Sequence, residues 1–228
     1  MAMKLKQVVP FGRSFDEYRE MFSLTSGDFS RKILGVGDGP ASFNSEMTKL
    51  GHRVVSIDPL YSFTGQEIER KFYEMVDGII EQVKATPSDW VWIYHRSPED
   101  LRQNRIMALH LFLADYEQGK VQMRYLVGEL PHLSEIADEA FDMALCSHFL
   151  FLYSNQFWLD FHRVAILEML RVATEVRIFP LLTLKGVRSA YVDPVMQDLL
   201  QQGYEVEILR VTYELQRGGN EMLRVSRR

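Results

Sequence analysis

One cysteine, Cys146, is all that the 228 residues contain. No disulfide framework can form within the chain. No stretch approaches the roughly 18 uncharged apolar residues of a membrane span. The longest apolar run, Phe149 to Tyr153 with its neighbours, stops at Ser154-Asn155. The segment Met1-Ala2-Met3-Lys4-Leu5-Lys6 has positive charge without an apolar core, so no secretory signal is expected there. Excess basic charge is missing too: 26 basic residues stand against 31 acidic ones, a net charge of -5. That offers no global attraction to nucleic acid or anionic lipid. The basic end, Arg224 to Arg228, reads as solvated surface. The six histidines, at 52, 95, 110, 132, 148 and 162, lack metal-site spacing. No G-x-x-x-x-G-K-S/T sequence exists, which argues against a P-loop nucleotidase.

What is there is a globular composition, 46% hydrophobic and 25% charged. It is too moderate for a disordered or fibrous chain. We expect a soluble, cytoplasmic protein whose residues 1–228 form one domain. Arg31-Lys32-Ile33-Leu34 runs into Gly35-Val36-Gly37-Asp38-Gly39-Pro40, a buried strand entering a tight turn. A helix over Ala41 to Leu50 stops at Gly51, and Arg53 to Asp58 is a second strand. Together they form a βαβ unit. From residue 62 to 119 the pattern is mostly helical. Ile68, Phe72, Met75, Val76, Ile79, Ile80 and Val83 recur at helical spacing, and Ser97-Pro98 starts a helix through Tyr116. Sixty residues exceed a minimal connection, so this is an insertion or cap suited to selecting a substrate.

Further strands are expected over Val121 to Val127, Phe141 to Cys146 and Glu175 to Phe179. Helices are expected over Gln156 to Ala173 and from Asp193-Pro194 to Gly203. Tyr204 to Gln216 alternates, and Met222 to Val225 follows the turn Arg217-Gly218-Gly219-Asn220. That is a terminal hairpin, an antiparallel edge on a mostly parallel sheet. The fold class is therefore α/β, a doubly wound Rossmann-like sheet. This order and its motifs, from Lys32 to Val225, resemble the class I S-adenosylmethionine-dependent methyltransferases. The resemblance implies seven strands with the last antiparallel, and S-adenosylmethionine as cofactor.

In that family the loop Gly35-Val36-Gly37-Asp38-Gly39 lies beside the methionine and ribose parts of the cofactor. Residues without Cβ let a ligand approach, and the next helix offers free N–H groups. An acid often stands two residues before the first glycine; counted from Gly35, that position is Ile33. Asp58, followed by Pro59, ends the second strand, where a carboxylate accepts from both ribose hydroxyls. Glu129 with Leu130 matches the adenine position, an acceptor beside an apolar wall. Ser147 and His148 end the fourth-strand motif facing the transferred methyl. There His148 would take a proton, since imidazole titrates near neutrality. Tyr153 would orient the acceptor, and Cys146 is packing. Arg13 or Tyr18, in or beside an amphipathic stretch over Phe15 to Leu24, would meet the cofactor's carboxylate. Trp90, Trp92 and Tyr94 form either an aromatic wall or core.

A dinucleotide site needs Gly or Ala at the last position of G-x-G-x-x-G/A. Counted from Gly35 this is Pro40, and from Gly37 it is Ser42. The reading is methyl transfer to a small or medium-sized acceptor, with no nucleic-acid or membrane partner and no metal. Cys146-Ser147-His148-Phe149 lacks the Asp/Asn-Pro-Pro-Tyr motif of nucleic-acid amino methyltransferases. A non-catalytic S-adenosylmethionine-binding regulator or scaffold remains the alternative, and an NAD(P)-dependent oxidoreductase after it.

Overall fold

Neighbouring residues of the central strands go to opposite sides of one sheet. Ile33 and Leu145 pack on one face, while Leu34, Ala144 and Cys146 pack on the other. Strands buried on both faces need no polar alternation, which is why they read as continuous apolar runs. The structure is a computed structural model that describes residues 10–227. The segment Met1 to Lys6 and Arg228 lie outside the described residues.

The strands are β1 (Ile33–Val36), β2 (Val54–Ile57), β3 (Tyr125–Leu126), β4 (Met143–Ser147), β5 (Glu175–Phe179), β6 (Glu205–Arg210) and β7 (Glu221–Ser226). Their order is β3-β2-β1-β4-β5-β7-β6, parallel except for β7, which runs antiparallel to both its neighbours. The first face carries α1 (Phe15–Met21), α2 (Phe43–Lys49), α3 (Gly65–Lys84) and α4 (Pro98–Val121). The second carries α5 (Leu159–Val172) and α6 (Val192–Gln201). The chain changes direction of winding between β1 and β4, and in such sheets ligands bind beyond the strand ends at that point.

Several expectations need correction. The terminal hairpin does form the antiparallel edge, but within it β7 lies between β5 and β6, so the outermost strand is β6. The third strand is only Tyr125–Leu126, because α4 runs on through Gly119 to Val121. Val121 is 85% exposed and Met123 is exposed, so an apolar run that suggested a strand lies in solvent. Gly119 is no stop; its bare Cα lets the Tyr125 ring approach, where a Cβ would stand 2.4 Å from the ring. Residues 62–119 are mostly helical, as expected, in the two helices α3 and α4. Between them, residues 85–97 run without α-helix, and α4 packs on α2 and β3 as the crossover while α3 packs on α4. Helix α5 starts at Leu159 and α6 at Val192, with Tyr191 rather than Asp193 before its first turn.

The alternation over Tyr204 to Gln216 belongs to β6 only as far as Arg210. Beyond it Val211, Tyr213 and Leu215 still turn inward, but the chain leaves the sheet. The Val91 N–H donates to the Leu215 carbonyl at 2.8 Å. The alternation is thus satisfied by the segment before α4, and this detour builds one wall of a cavity. At the basic end, Arg224 pairs with Glu207 at 2.7 Å and Arg227 with Glu139.

Candidate active site

Gly37 and Gly39 have φ of +70° and +56°. Other residue types rarely adopt that conformation, and the two glycines form the turn between β1 and α2. Gly35 is different. It lies inside β1, paired with Ser56 and Leu145. A Cβ on Gly35 would fall 1.8 Å from Asp38 Oδ2, because the Asp38 carboxylate folds back over it. The expected loop therefore divides: Gly35 is strand, and Gly37 is the first loop glycine. Two residues before Gly37 is Gly35, and the Asp38 carboxylate fills that space. The acid sought at Ile33 was a matter of register.

Asp38 is 6% exposed. Its Oδ1 accepts from the Tyr18 hydroxyl at 2.6 Å and its Oδ2 from Ser56 Oγ at 2.7 Å. Tyr18 is thereby committed to the loop. Burial pushes the Asp38 carboxyl up to about 7, with Asp58 adding to the rise against those two hydrogen bonds. The ordinary value is 3.8, so between 3.8 and about 7 the folded protein binds the extra proton. The associated stability is complete below about 4 and is lost as pH rises through 7. Asp38→Asn removes this slope. We expect the variant to gain stability relative to the parent between pH 4 and pH 8, by at most ~4 kcal/mol. Urea unfolding at each pH reads the difference. The fixed effect of an amide beside Ser56 cancels in the slope, and a pH-independent difference would refute the raised carboxyl.

Asp58 stands at the end of β2. Its Oδ2 accepts from the Gly39 N–H at 2.8 Å and its Oδ1 from the Leu60 N–H at 2.7 Å. The Tyr61 hydroxyl donates to the Gly39 carbonyl at 2.8 Å. The carboxylate thus braces the glycine turn, and burial raises its pKa. A cavity of about 220 Å³ opens between the turn, Asp58-Pro59-Leu60, Arg13, and Ser147-His148 at the end of β4. The structure does not bring Glu129 and Leu130 to its lining. Glu129 is exposed, and Leu130 is buried in the core cluster that contains Ile57.

A second cavity, about 90 Å³, shares Phe11, Arg13 and His148 with the first. Its walls are largely apolar: Ile79 and Val83 of α3, Leu101 of α4, Leu152, Leu184 and Leu215. Trp90 and Tyr153 also line it, whereas Trp92 and Tyr94 pack against the core. Phe149 lies against Gly37, 3.4 Å from where a Cβ would stand. Cys146 is fully buried. His148 has φ +51° and donates its N–H to the Phe179 carbonyl at 2.6 Å. Its Nδ1 lies 3.0 Å from Ser147 Oγ. Burial, then the guanidiniums of Arg13 and Arg105, push its pKa well below the usual 6.5. The ring is neutral at physiological pH, but taking up a proton there works against two positive charges.

The residues missing from the sequence reading form a buried clasp. Glu17 of α1 is 0% exposed. Its carboxylate accepts from Arg105 Nη1 at 2.5 Å and Nη2 at 2.7 Å, and from the Tyr213 hydroxyl at 2.8 Å. His95 Nε2 lies 3.1 Å from the same group. Burial pushes Glu17 up, but Arg105 and the hydrogen bonds outweigh this and hold it well below the usual carboxylate range. The clasp joins α1, α4, the segment before α4, and the detour after β6. It also seats the N-terminal segment. A Cβ on Gly12 would meet the Pro40 carbonyl at 2.1 Å, and the Ser42 N–H donates to the Arg13 carbonyl at 3.0 Å. The Ser14-x-x-Glu17 capping box was visible in the sequence. Partners 78, 88 and 196 positions away were not.

Over 226 residues, 99% of each chain, the sequence is 32% identical to the uncharacterised protein MJ0045 of Methanocaldococcus jannaschii. The chain belongs to the MJ0045 family. No protein-family model matches it. The PH0226 protein of Pyrococcus horikoshii OT3 shares the fold at a TM-score of 0.51, with 11% identity over 94% of this chain and 91% of that one. A magnesium protoporphyrin IX methyltransferase of Synechocystis PCC 6803, crystallised with bound SAM, superposes with a TM-score of 0.46, 12% identity and coverage of 94% and 91%. The sheet order and antiparallel β7 of this MJ0045-family chain are those of the class I S-adenosylmethionine-dependent methyltransferase fold. Among the described residues, no helix is long and apolar enough to cross a membrane. Nor do three or more His, Cys, Asp or Glu residues gather there to hold a metal ion.

Proposed function

We propose that the chain is an S-adenosylmethionine-dependent methyltransferase acting on a small or medium-sized acceptor other than nucleic acid. The observation that carries this reading is the meeting of two cavities at Arg13 and His148. One has the glycine turn and Asp58, and the other is apolar and partly enclosed. Ligand sites are typically concave and apolar with a few placed polar groups. The cofactor, when bound, supplies an electrophilic methyl group on a sulfonium.

The residues present fit that cofactor. Gly37 and Gly39 leave space at the turn, with Asp38 bracing them from behind. Asp58 has two carboxylate oxygens, each already accepting one backbone N–H and each able to accept one more bond from a ribose hydroxyl. Pro59 borders the same cavity, and Ser147 closes it at the end of β4. Glu129 and Leu130, beyond β3, are kept as the proposed adenine contacts, outside the lining of this cavity. His148, neutral and bonded to Ser147, acts as a hydrogen-bonding partner that aims the acceptor. Tyr153 helps to shape the acceptor cavity. Catalysis by positioning suits such a site, since orientation alone supplies a large share of rate acceleration.

The test is calorimetric titration of the purified protein with S-adenosylmethionine and S-adenosylhomocysteine, with NAD and NADP run alongside. Saturable binding of the first two, and none of the dinucleotides, is expected. Absence of sulfonium and thioether binding, after removal of any co-purified ligand, would sink the reading.

A further inference from the structure

Of the three residues that line both cavities, Phe11, Arg13 and His148, Arg13 carries the permanent charge, and no ion pair joins it to a carboxylate among the described residues. Its Nη1 donates to the Phe11 carbonyl, and its Nε is buried without a partner. Its guanidinium lies over the Phe11 ring, 5.7 Å from the centroid, and that of Arg105 lies 5.2 Å from the same ring. The nearest carboxylate of the clasp, Glu17, is already engaged by both Nη atoms of Arg105, by Tyr213 and by the Ser14 cap. Two guanidiniums therefore face one carboxylate, and the unneutralised one is Arg13. Burial, then Arg105, lower its pKa to about 10, so it stays charged at neutral pH.

A half-buried cation with a buried, idle Nε donor is unfavourable unless something anionic meets it. Its surroundings indicate from which side that anion comes. Arg13 borders both cavities, but Asp38 and Asp58 line the glycine-turn cavity, whereas no carboxylate lines the apolar one. The rest of the apolar cavity offers aliphatic and aromatic side chains, among them Leu152, Tyr153 and Tyr213.

We propose that the apolar cavity takes an apolar, ring-bearing acceptor with a single negative charge, a carboxylate or an ionised phenol, and that Arg13 holds this charge at the junction. The inference rests on the methyltransferase reading for the word acceptor, but not for the site. A planar guanidinium suits a carboxylate with two parallel hydrogen bonds. An oxygen that arrives ionised asks no proton of His148. This agrees with an imidazole whose pKa burial and the charges of Arg13 and Arg105 lower, and which is bonded to Ser147. Arg13 also serves specificity, because a neutral molecule of the same shape leaves the guanidinium buried and unpaired.

The probes are benzoate and its neutral counterpart benzamide, titrated against the full chain with and without S-adenosylhomocysteine. Benzoate is expected to bind at least tenfold more tightly. Arg13→Gln should reduce that preference to less than threefold, and Arg13→Lys, which keeps the charge, should retain part of it. Any loss of S-adenosylhomocysteine affinity in Arg13→Gln should be smaller than its loss of acid preference. Equal affinity for acid and amide, or failure of both to bind, overturns the proposal. So does a tenfold loss of S-adenosylhomocysteine affinity in Arg13→Gln with the acid preference intact, which would assign Arg13 to the cofactor's own carboxylate. An Arg13-dependent acid preference without any S-adenosylhomocysteine binding would uphold the anion site and remove the methyltransferase reading.

Discussion

Glu17→Ala is expected to lower the free energy of unfolding by about 3–5 kcal/mol, the range for breaking a buried ion pair from one side. Arg105 is 1% exposed, and the substitution leaves its guanidinium with no carboxylate in reach. The Tyr213 hydroxyl loses its acceptor as well. Against a typical total of about 5–15 kcal/mol, this is a large fraction. Urea unfolding near pH 7 measures it. Replacing both partners with methionine should recover most of the loss, because two buried apolar side chains carry no unpaired charge. A loss below 1 kcal/mol in the single variant would mean that Arg105 finds solvent, contrary to its burial. The pair also makes the protein acid-sensitive. Glu17 titrates below its unfolded value of 4.5, so its contribution is complete above that value and fades as pH falls towards the folded one.

The second large effect is on the cofactor. Asp58→Ala should weaken S-adenosylhomocysteine binding about 30- to 100-fold, roughly 2–3 kcal/mol, as expected for losing hydrogen bonds to a charged acceptor. Part of the loss acts through the glycine turn, because the Gly39 N–H and Leu60 N–H lose the carboxylate they share. Asp58→Asn separates the two contributions. Its remaining carbonyl oxygen can serve one of these N–H groups, so it should lie between the parent and the alanine variant. Isothermal titration of the three proteins decides. Unchanged affinity in Asp58→Ala would place the nucleoside elsewhere.

Both effects arise where elements distant in sequence converge, and they differ in how far the sequence foretold them. Asp58 could be found because β2, its terminal acid and Pro59 are contiguous. The glycine turn was equally visible, though its register was not. Nothing local distinguishes Gly35 as strand from Gly37 as turn until the Asp38 carboxylate is seen folded over Gly35. Tyr18 pointed to the right neighbourhood and the wrong partner, since its hydroxyl is held by Asp38. Arg13 was noticed for proximity to the cofactor, but its lack of a carboxylate partner is a property of the assembled site.

The sequence by itself determined the layered α/β architecture and most of the central strands. Apolar runs of the right length, ended by glycine or proline, leave few alternatives for elements buried on both faces. It also determined β5 to the residue, Glu175 to Phe179, because Pro180 follows. Only the tertiary structure decided that β7 lies inside the sheet, that Val121 belongs to α4, and that residues 211–216 turn away to wall a cavity. It alone brought Glu17, His95, Arg105 and Tyr213 together. Periodicity records whether a side chain is buried, not which distant side chain buries it. An ion pair across 88 positions and a hydrogen bond across 196 leave no trace in local pattern, because their energy depends on where folding puts both partners.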